Sequence, residues 1–199
     1  IYTSSNKVFK VWSADTQNAS AKSTLTVLLL KPWQSGGEVN KSHLFEVSHC
    51  EFSFGRNVLL TASDKTINIW DLVSLQSIGT LRGHKEEIRA LHVANDLLIS
   101  AGKGSPSNGA LLTWDLRSQS NHFYFSCILT MLFSPLEEKE KNQDIFCMTS
   151  HKDTLFYGSR NHQVRRINLS TMDSLSPLEP PHFDVVTSLA MLKGALVSG

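Results

Sequence analysis

LLTASDKTINIWDLVSLQSIGTLRGHKEEIRALHV, residues 59–93, predicts the fold of this chain more clearly than any other stretch. Apolar and polar residues alternate in it, as in Ile67-Asn68-Ile69, and this period of two is typical of a β-strand. Both faces of such runs are largely apolar, so we expect the strands to lie inside a layered structure. Because no segment shows a sustained helical pattern with a cap, we expect little helix.

The same pattern recurs along the chain, which identifies a repeat protein. An apolar run, small residues, a turn and alternating apolar residues occur at 1–13, 58–72, 97–116 and 154–169, and a fifth copy begins at 194–199. One position is held in turn by Trp12, Trp70, Trp114 and Ile167, at spacings of 58, 44 and 53 residues. Polar insertions, expected in solvent-exposed loops, lie at 13–23, 34–41 and 134–144.

The phrases KVWS (10–13), NIWDL (68–72), LRGH (81–84) and LTWDL (112–116) resemble the WD40 family, whose blades carry a Gly-His before the first strand and a Trp-Asp ending the third. The resemblance implies an all-β WD40 β-propeller. Seven blades of about 40 to 45 residues would need roughly 300, so we expect about four blades of a larger, seven-bladed ring. The expected units are a partial blade at 1–33, blades at 44–82, 83–130 and 144–178, and a partial blade at 182–199.

In that family a histidine, a strand-b serine or threonine, a turn aspartate and a strand-c tryptophan form a hydrogen-bonded network in each blade, because buried indole N–H and imidazole groups need partners. The resemblance assigns this role to His84, Ser100 and Trp114, to Ser63, Asp64 and Trp70, to Ser159 and Asn161, to His182 and to Trp12. Each set lacks a member, and this predicts a divergent propeller of modest stability.

The segment 153–199 is similar, more closely, to the WD40 tail of kinesin-4 family motors. It shares the run Glu179-Pro180-Pro181-His182-Phe183-Asp184, in which the histidine takes the Gly-His role. The resemblance implies a protein-interaction scaffold, the cargo- or microtubule-associated tail of a kinesin-4-like protein. The alternative is the substrate-recognition module of an E3 ubiquitin ligase, since WD40 propellers of similar pattern serve that purpose.

Net charge, cysteine content and the length of the apolar stretches limit the classes of partner and the cellular location that we expect. The 199 residues are 41% hydrophobic and 19% charged, with a net charge of +1, which argues against a nucleic-acid partner. The three cysteines, Cys50, Cys127 and Cys147, match neither a disulfide framework nor a metal knuckle. The apolar stretches 24–30 and 123–133 are shorter than the ~18 to 20 residues of a membrane helix. We expect a cytoplasmic protein that begins in mid-fold and does not insert into membranes, and the kinesin-4 resemblance implies a cytoskeletal location.

Catalytic and metal-binding patterns are weak. The pairs His49-Cys50 and Cys147/His151 have no second pair at zinc-finger spacing. GKGSPSNG at 102–109 is typical of a turn, because it has no Lys-Ser/Thr ending before a helix. We expect no enzymatic activity, no cofactor and no metal.

A propeller presents loops at one end of its blades, a surface suited to protein partners. The resemblance places nine residues there: Lys65, Lys85, Glu86, Glu87, Lys103, Arg160, His162, Phe183 and Asp184. Their mixed charge indicates selective docking of proteins or peptides. The basic residues Arg160, Arg165 and Arg166 fit either an acidic partner, such as a microtubule, or a solvated strand face.

Overall fold

The computed structural model describes residues 2–5, 8–12, 25–28, 49–53, 57–74, 76–104, 111–116 and 144–199. All the regular secondary structure in these ranges is β-strand, arranged in five antiparallel sheets whose strands pair in chain order. The expectation of an all-β chain is confirmed for this part of the molecule.

The first sheet contains β1 (Tyr2–Ser5), β2 (Val8–Trp12) and β3 (Leu25–Leu28). The second contains β4 (His49–Ser53), β5 (Val58–Ser63), β6 (Thr66–Asp71) and β7 (Ser77–Arg82). The third contains β8 (Ile88–Ala94), β9 (Leu97–Gly102) and β10 (Leu111–Asp115). The fourth contains β11 (Ile145–His151), β12 (Thr154–Ser159), β13 (Val164–Asn168) and β14 (Ser174–Leu175). The fifth contains β15 (Leu189–Leu192) and β16 (Ala195–Ser198).

The four full copies of the sequence pattern form the hairpins β1–β2, β5–β6, β9–β10 and β12–β13. The position that Trp70, Trp114 and Ile167 occupy in the repeat also has the same kind of partner on the neighbouring strand. Trp70 lies opposite Leu59, and Trp114 lies opposite Leu98. Ile167 faces a leucine in the same way in the fourth sheet. All six residues of β5 are buried, as expected of a strand that is apolar on both faces.

Neighbouring sheets pack against each other through two apolar clusters. One joins the second and third sheets and includes Ile69, Leu91 and Trp114. The other joins the third and fourth sheets and includes Ile99 and Leu155. The first strands β4, β8 and β11 are neighbours, and β11 also contacts β15. The second to fifth sheets therefore follow one another with their first strands side by side, as blades do in a propeller.

One expectation about the insertions is wrong. Asp144 ends the polar segment 134–144 but is only 5% exposed, because it is held between the third and fourth sheets. The insertions at 13–23 and 34–41, the rest of 134–144 and the fourth strand expected before residue 130 lie outside the described residues. The predicted blade boundaries and the number of blades in a complete ring stay predictions.

Candidate functional site

The third sheet holds a hydrogen-bonded network built on one buried hydroxyl. The indole Nε1 of Trp114 donates to Ser100 Oγ at 2.7 Å, and His84 Nε2 lies 2.6 Å from the same oxygen. Ser100 is fully buried, and its hydroxyl also lies 3.4 Å from the Leu112 carbonyl oxygen. Burial lowers the pKa of His84 to about 4, so its ring is neutral at pH 7. The structure thus brings together three side chains that the sequence assigned to one network.

In the second sheet the sequence assigned the wrong hydroxyl. Trp70 Nε1 donates to Thr61 Oγ1 at 2.9 Å, whereas Ser63 lies two residues further along the same strand. Thr61 follows the leucine opposite the tryptophan by two residues, as Ser100 does in the third sheet. The second residue after the leucine that faces the tryptophan identifies Thr61, whereas the small residues just before the turn favour Ser63.

The remaining predicted network residues belong to the fifth, fourth and first sheets. His182 Nε2 lies 2.8 Å from Ser198 Oγ, with the 16-residue separation also found between His84 and Ser100. In the fourth sheet, Ser159 Oγ donates to Asn161 Oδ1 beside the β12–β13 turn. The predicted pair Ser159 and Asn161 is thus in contact, although by register the position equivalent to Ser100 is Tyr157, two residues after the leucine that faces Ile167. The side chain of Trp12 lies outside the described part of the chain.

Backbone hydrogen bonds join the turn of one sheet to the segment that leads into the next. The Ile88 N–H donates to the Asp64 carbonyl oxygen at 2.7 Å, and the His182 N–H donates to the His162 carbonyl oxygen at 2.8 Å. Asp64 and His162 adopt positive φ angles of 50° and 65°. Asp64 therefore connects two sheets through its backbone.

All nine predicted docking residues lie at the end of the sheets where these backbone hydrogen bonds occur. They precede β8 or β15 or follow β5, β9 or β12. Because each sheet is antiparallel, the start of its first strand and the end of its second strand lie at the same end of the sheet. Glu86 and His162 are half-buried, and the other seven are exposed. Phe183 is fully exposed, which is unusual for an aromatic side chain.

The same end contains an ion-pair cluster that the sequence did not reveal. Asp144 Oδ2 lies 3.3 Å from Arg89 Nη1 and 3.5 Å from Arg160 Nη2, and Asp144 Oδ1 accepts the Gly104 N–H at 3.3 Å. Arg89 also lies 3.5 Å from Glu87 Oε2. The cluster links three chain segments, because β8 supplies Arg89, Gly104 follows β9 and Arg160 follows β12.

We call this surface the upper face. It consists of Lys65, Lys85, Glu86, Glu87, Arg89, Lys103, Arg160, His162, Phe183 and Asp184, with Asp144 buried beneath it. The predicted basic run does not form part of it as a unit. Arg166 donates to the carbonyl and hydroxyl oxygens of Ser176, and Arg165 donates to Gln163 Oε1.

A second polar group crosses the first strands of three sheets. His92 Nε2 on β8 lies 2.8 Å from Ser150 Oγ on β11, and His92 Nδ1 lies 3.8 Å from Glu51 Oε1 on β4. Burial raises the pKa of Glu51 to about 7. Burial and the nearby His49 lower the pKa of His92 to about 4. His92 is therefore uncharged near neutral pH, and the group acts as a polar contact between sheets.

Other chemistry is sparse in the described ranges. No group of three or more histidine, cysteine, aspartate or glutamate side chains there is arranged to hold a metal ion. No helix among those residues is long and apolar enough to span a membrane. Cys50 and Cys147 are half-buried thiols, burial raises the pKa of Cys147 to about 11, and Cys127 lies outside these ranges.

Comparison with known proteins supports the repeat. Residues 37–71 match the WD40 family model, described as WD domain, G-beta repeat. The chain is 30% identical over 105 residues to Mitochondrial division protein 1 of Mycosarcoma maydis, an alignment covering 52% of this chain and 12% of that protein. It is 24% identical over 151 residues to Kinesin-like protein KIF21B of Mus musculus, covering 75% of this chain and 9% of that protein. The chain thus spans about a tenth of the length of these relatives.

Among solved structures, the Mitotic Checkpoint Complex contains a chain that matches all of this one and 54% of its own length. The TM-score is 0.66 and the sequence identity is 17%, so the likeness concerns the fold alone. Together with the antiparallel sheets, it confirms the fold class, an all-β β-propeller, in which residues 37–71 match a WD40 repeat.

Proposed function

We propose that this chain is a non-catalytic scaffold that binds other proteins or peptides on its upper face. The observation that carries the proposal is the Asp144 cluster, in which one buried carboxylate pairs with two arginines from different sheets at a surface of exposed charged side chains. A fixed side chain loses less conformational entropy on binding than a mobile one, so such a surface suits recognition. WD40 propellers are in general scaffolds of this kind.

The finer role that we propose is that of the tail of a kinesin-like protein, cytoplasmic and associated with microtubules or cargo. Two observations support it: the Glu179–Asp184 run and the similarity to Kinesin-like protein KIF21B over 151 residues. In the structure, this run places His182 on Ser198 and leaves Phe183 fully exposed at the upper face. An exposed aromatic side chain is a typical anchor in a protein interface.

Affinity capture with two matched charge reversals tests the scaffold. The upper-face variant is Lys103→Glu with Arg160→Glu, and the control is Lys152→Glu with Lys193→Glu, exposed lysines in turns at the opposite end of the strands. We expect the first variant to lose proteins that wild type and control both retain, as measured by quantitative mass spectrometry. Equal retention by both variants would contradict the proposal. Co-sedimentation with microtubules tests the finer role in the same way.

A further inference from the structure

The Asp144 cluster has a layered charge distribution. The carboxylate lies at the bottom with its side chain 8% exposed, and the side chains of Arg89 and Arg160 above it are 28% and 66% exposed. Arg89 is further positioned by the ring of Phe146, whose centroid lies 5.1 Å from its guanidinium carbon. The negative charge is therefore shielded, and the positive charges face outward.

The two guanidinium groups keep donors for a ligand. A guanidinium carries five N–H donors. Within the described residues, Asp144 and Glu87 engage one terminal nitrogen each on Arg89, and Asp144 engages one on Arg160. Lys103, which is exposed, precedes the glycine that donates to Asp144. Two arginines and two carboxylates, Asp144 and Glu87, thus meet at this point.

Glu87 shows where an anion can bind. Its carboxylate lies 3.5 Å from Arg89 Nη2, and its side chain is 49% exposed. An ion pair so open to solvent is weak and easily exchanged. An incoming anion can therefore replace the Glu87 carboxylate on Arg89, while the buried Asp144 carboxylate stays paired with Arg89 at 3.3 Å.

We infer that Arg89 and Arg160 form an anion subsite for a carboxylate or phosphate group on a side chain of the docked peptide, a site that Glu87 occupies when no peptide is bound. This inference rests on the proposed function, because the anion is presented by a protein partner. Arginine suits the site since its planar group binds carboxylate and phosphate through two parallel hydrogen bonds.

The test uses three fluorescent peptides of one sequence that differ at a central residue, which is phosphoserine, glutamate or glutamine. We expect the phosphoserine or the glutamate peptide, or both, to bind with an affinity that falls as salt rises, and the comparison identifies the anion's source. Arg160→Gln should weaken this binding at least tenfold, whereas Arg166→Gln, whose side chain is held on Ser176, should change it less than twofold. Glu87→Gln should strengthen it several-fold.

The comparison of Arg160→Gln with Arg166→Gln separates the subsite from a general effect of positive charge, because each variant loses one positive charge. Weaker binding by Glu87→Gln, equal losses with Arg160→Gln and Arg166→Gln, or equal binding of all three peptides would overturn the inference. If the Arg160→Gln protein still captures every partner that the Lys103/Arg160 reversal loses, the subsite is wrong while the scaffold proposal stands.

Discussion

Three hydroxyls that bond tryptophan or histidine side chains, in the second, third and fifth sheets, predict a graded loss of stability. Ser100→Ala removes the acceptor of the Trp114 indole N–H and the partner of His84, 2.7 and 2.6 Å away, in a fully buried site. A buried polar group left unpaired costs about 1 to 3 kcal/mol. The buried indole N–H contributes within this range and the half-buried His84 about 1 kcal/mol, so we expect a loss of about 2 to 4 kcal/mol in the free energy of unfolding.

Removing either of the two other hydroxyls should reduce the free energy of unfolding by less than Ser100→Ala does. Thr61→Val keeps the side-chain volume but deprives Trp70 of its 2.9 Å acceptor, and the single indole N–H predicts a loss of about 1 to 2 kcal/mol. Ser198→Ala affects the half-buried His182, which water can reach, so we expect less than about 1 kcal/mol.

Urea unfolding followed by tryptophan fluorescence measures all three variants, and an unchanged m-value confirms that the comparison is valid. The expected order of destabilisation is Ser100→Ala, then Thr61→Val, then Ser198→Ala. If Ser100→Ala cost no more than Ser198→Ala, the buried hydroxyl would not be the centre of the network, and the reasoning would be refuted.

Two further predictions concern backbone packing and pH. A Cβ on Gly102 would lie 2.0 Å from the Glu87 carbonyl oxygen, so Gly102→Ala should destabilise the protein by about 3 kcal/mol or more. Gly194 has a φ of +83° and open space around it, so Gly194→Ala should cost only about 1 kcal/mol. Similar melting temperatures for the two variants would contradict this packing. Burial lowers the pKa of three histidines, His49, His84 and His92. His84 and His92, whose pKa in the folded protein is about 4, each take up a proton on unfolding between about pH 4 and pH 6.5, while Glu51, whose pKa is raised to about 7, releases one. The net uptake of about one proton, to which His49 adds in the same direction, predicts that the free energy of unfolding falls by at least about 1 kcal/mol from pH 6 to pH 5. His84→Gln should remove about one proton from this uptake, and urea titrations that show constant or increasing stability toward acid would contradict it.

The strands could be predicted because their signal is local. Alternation within a few residues located the β5–β6 and β9–β10 hairpins, and the tryptophans marked equivalent register positions in them. The partner of Trp70 could not be found in the same way. It depends on cross-strand register at a short turn, and a two-residue difference there exchanges Ser63 for Thr61.

The centre of the upper face could not be predicted, because it depends on packing between sheets. Asp144 and Arg89 are 55 residues apart, and no local pattern connects them. An aspartate at the end of a polar segment is expected to be exposed, so its burial beneath two arginines is visible only in the folded chain. The contact of Glu51 with His92 arises from the same cause, since β4 and β8 belong to different sheets.

Hydrogen exchange of the protein alone and bound to a captured partner tests the central claim, that the upper face is the docking surface. The account predicts protection at backbone amides of residues 85–89, 103–104, 160–162 and 182–184. The turns at 95–96, 152–153 and 193–194, at the opposite end of the strands, should exchange unchanged. Protection at those turns with none on the upper face would contradict the account.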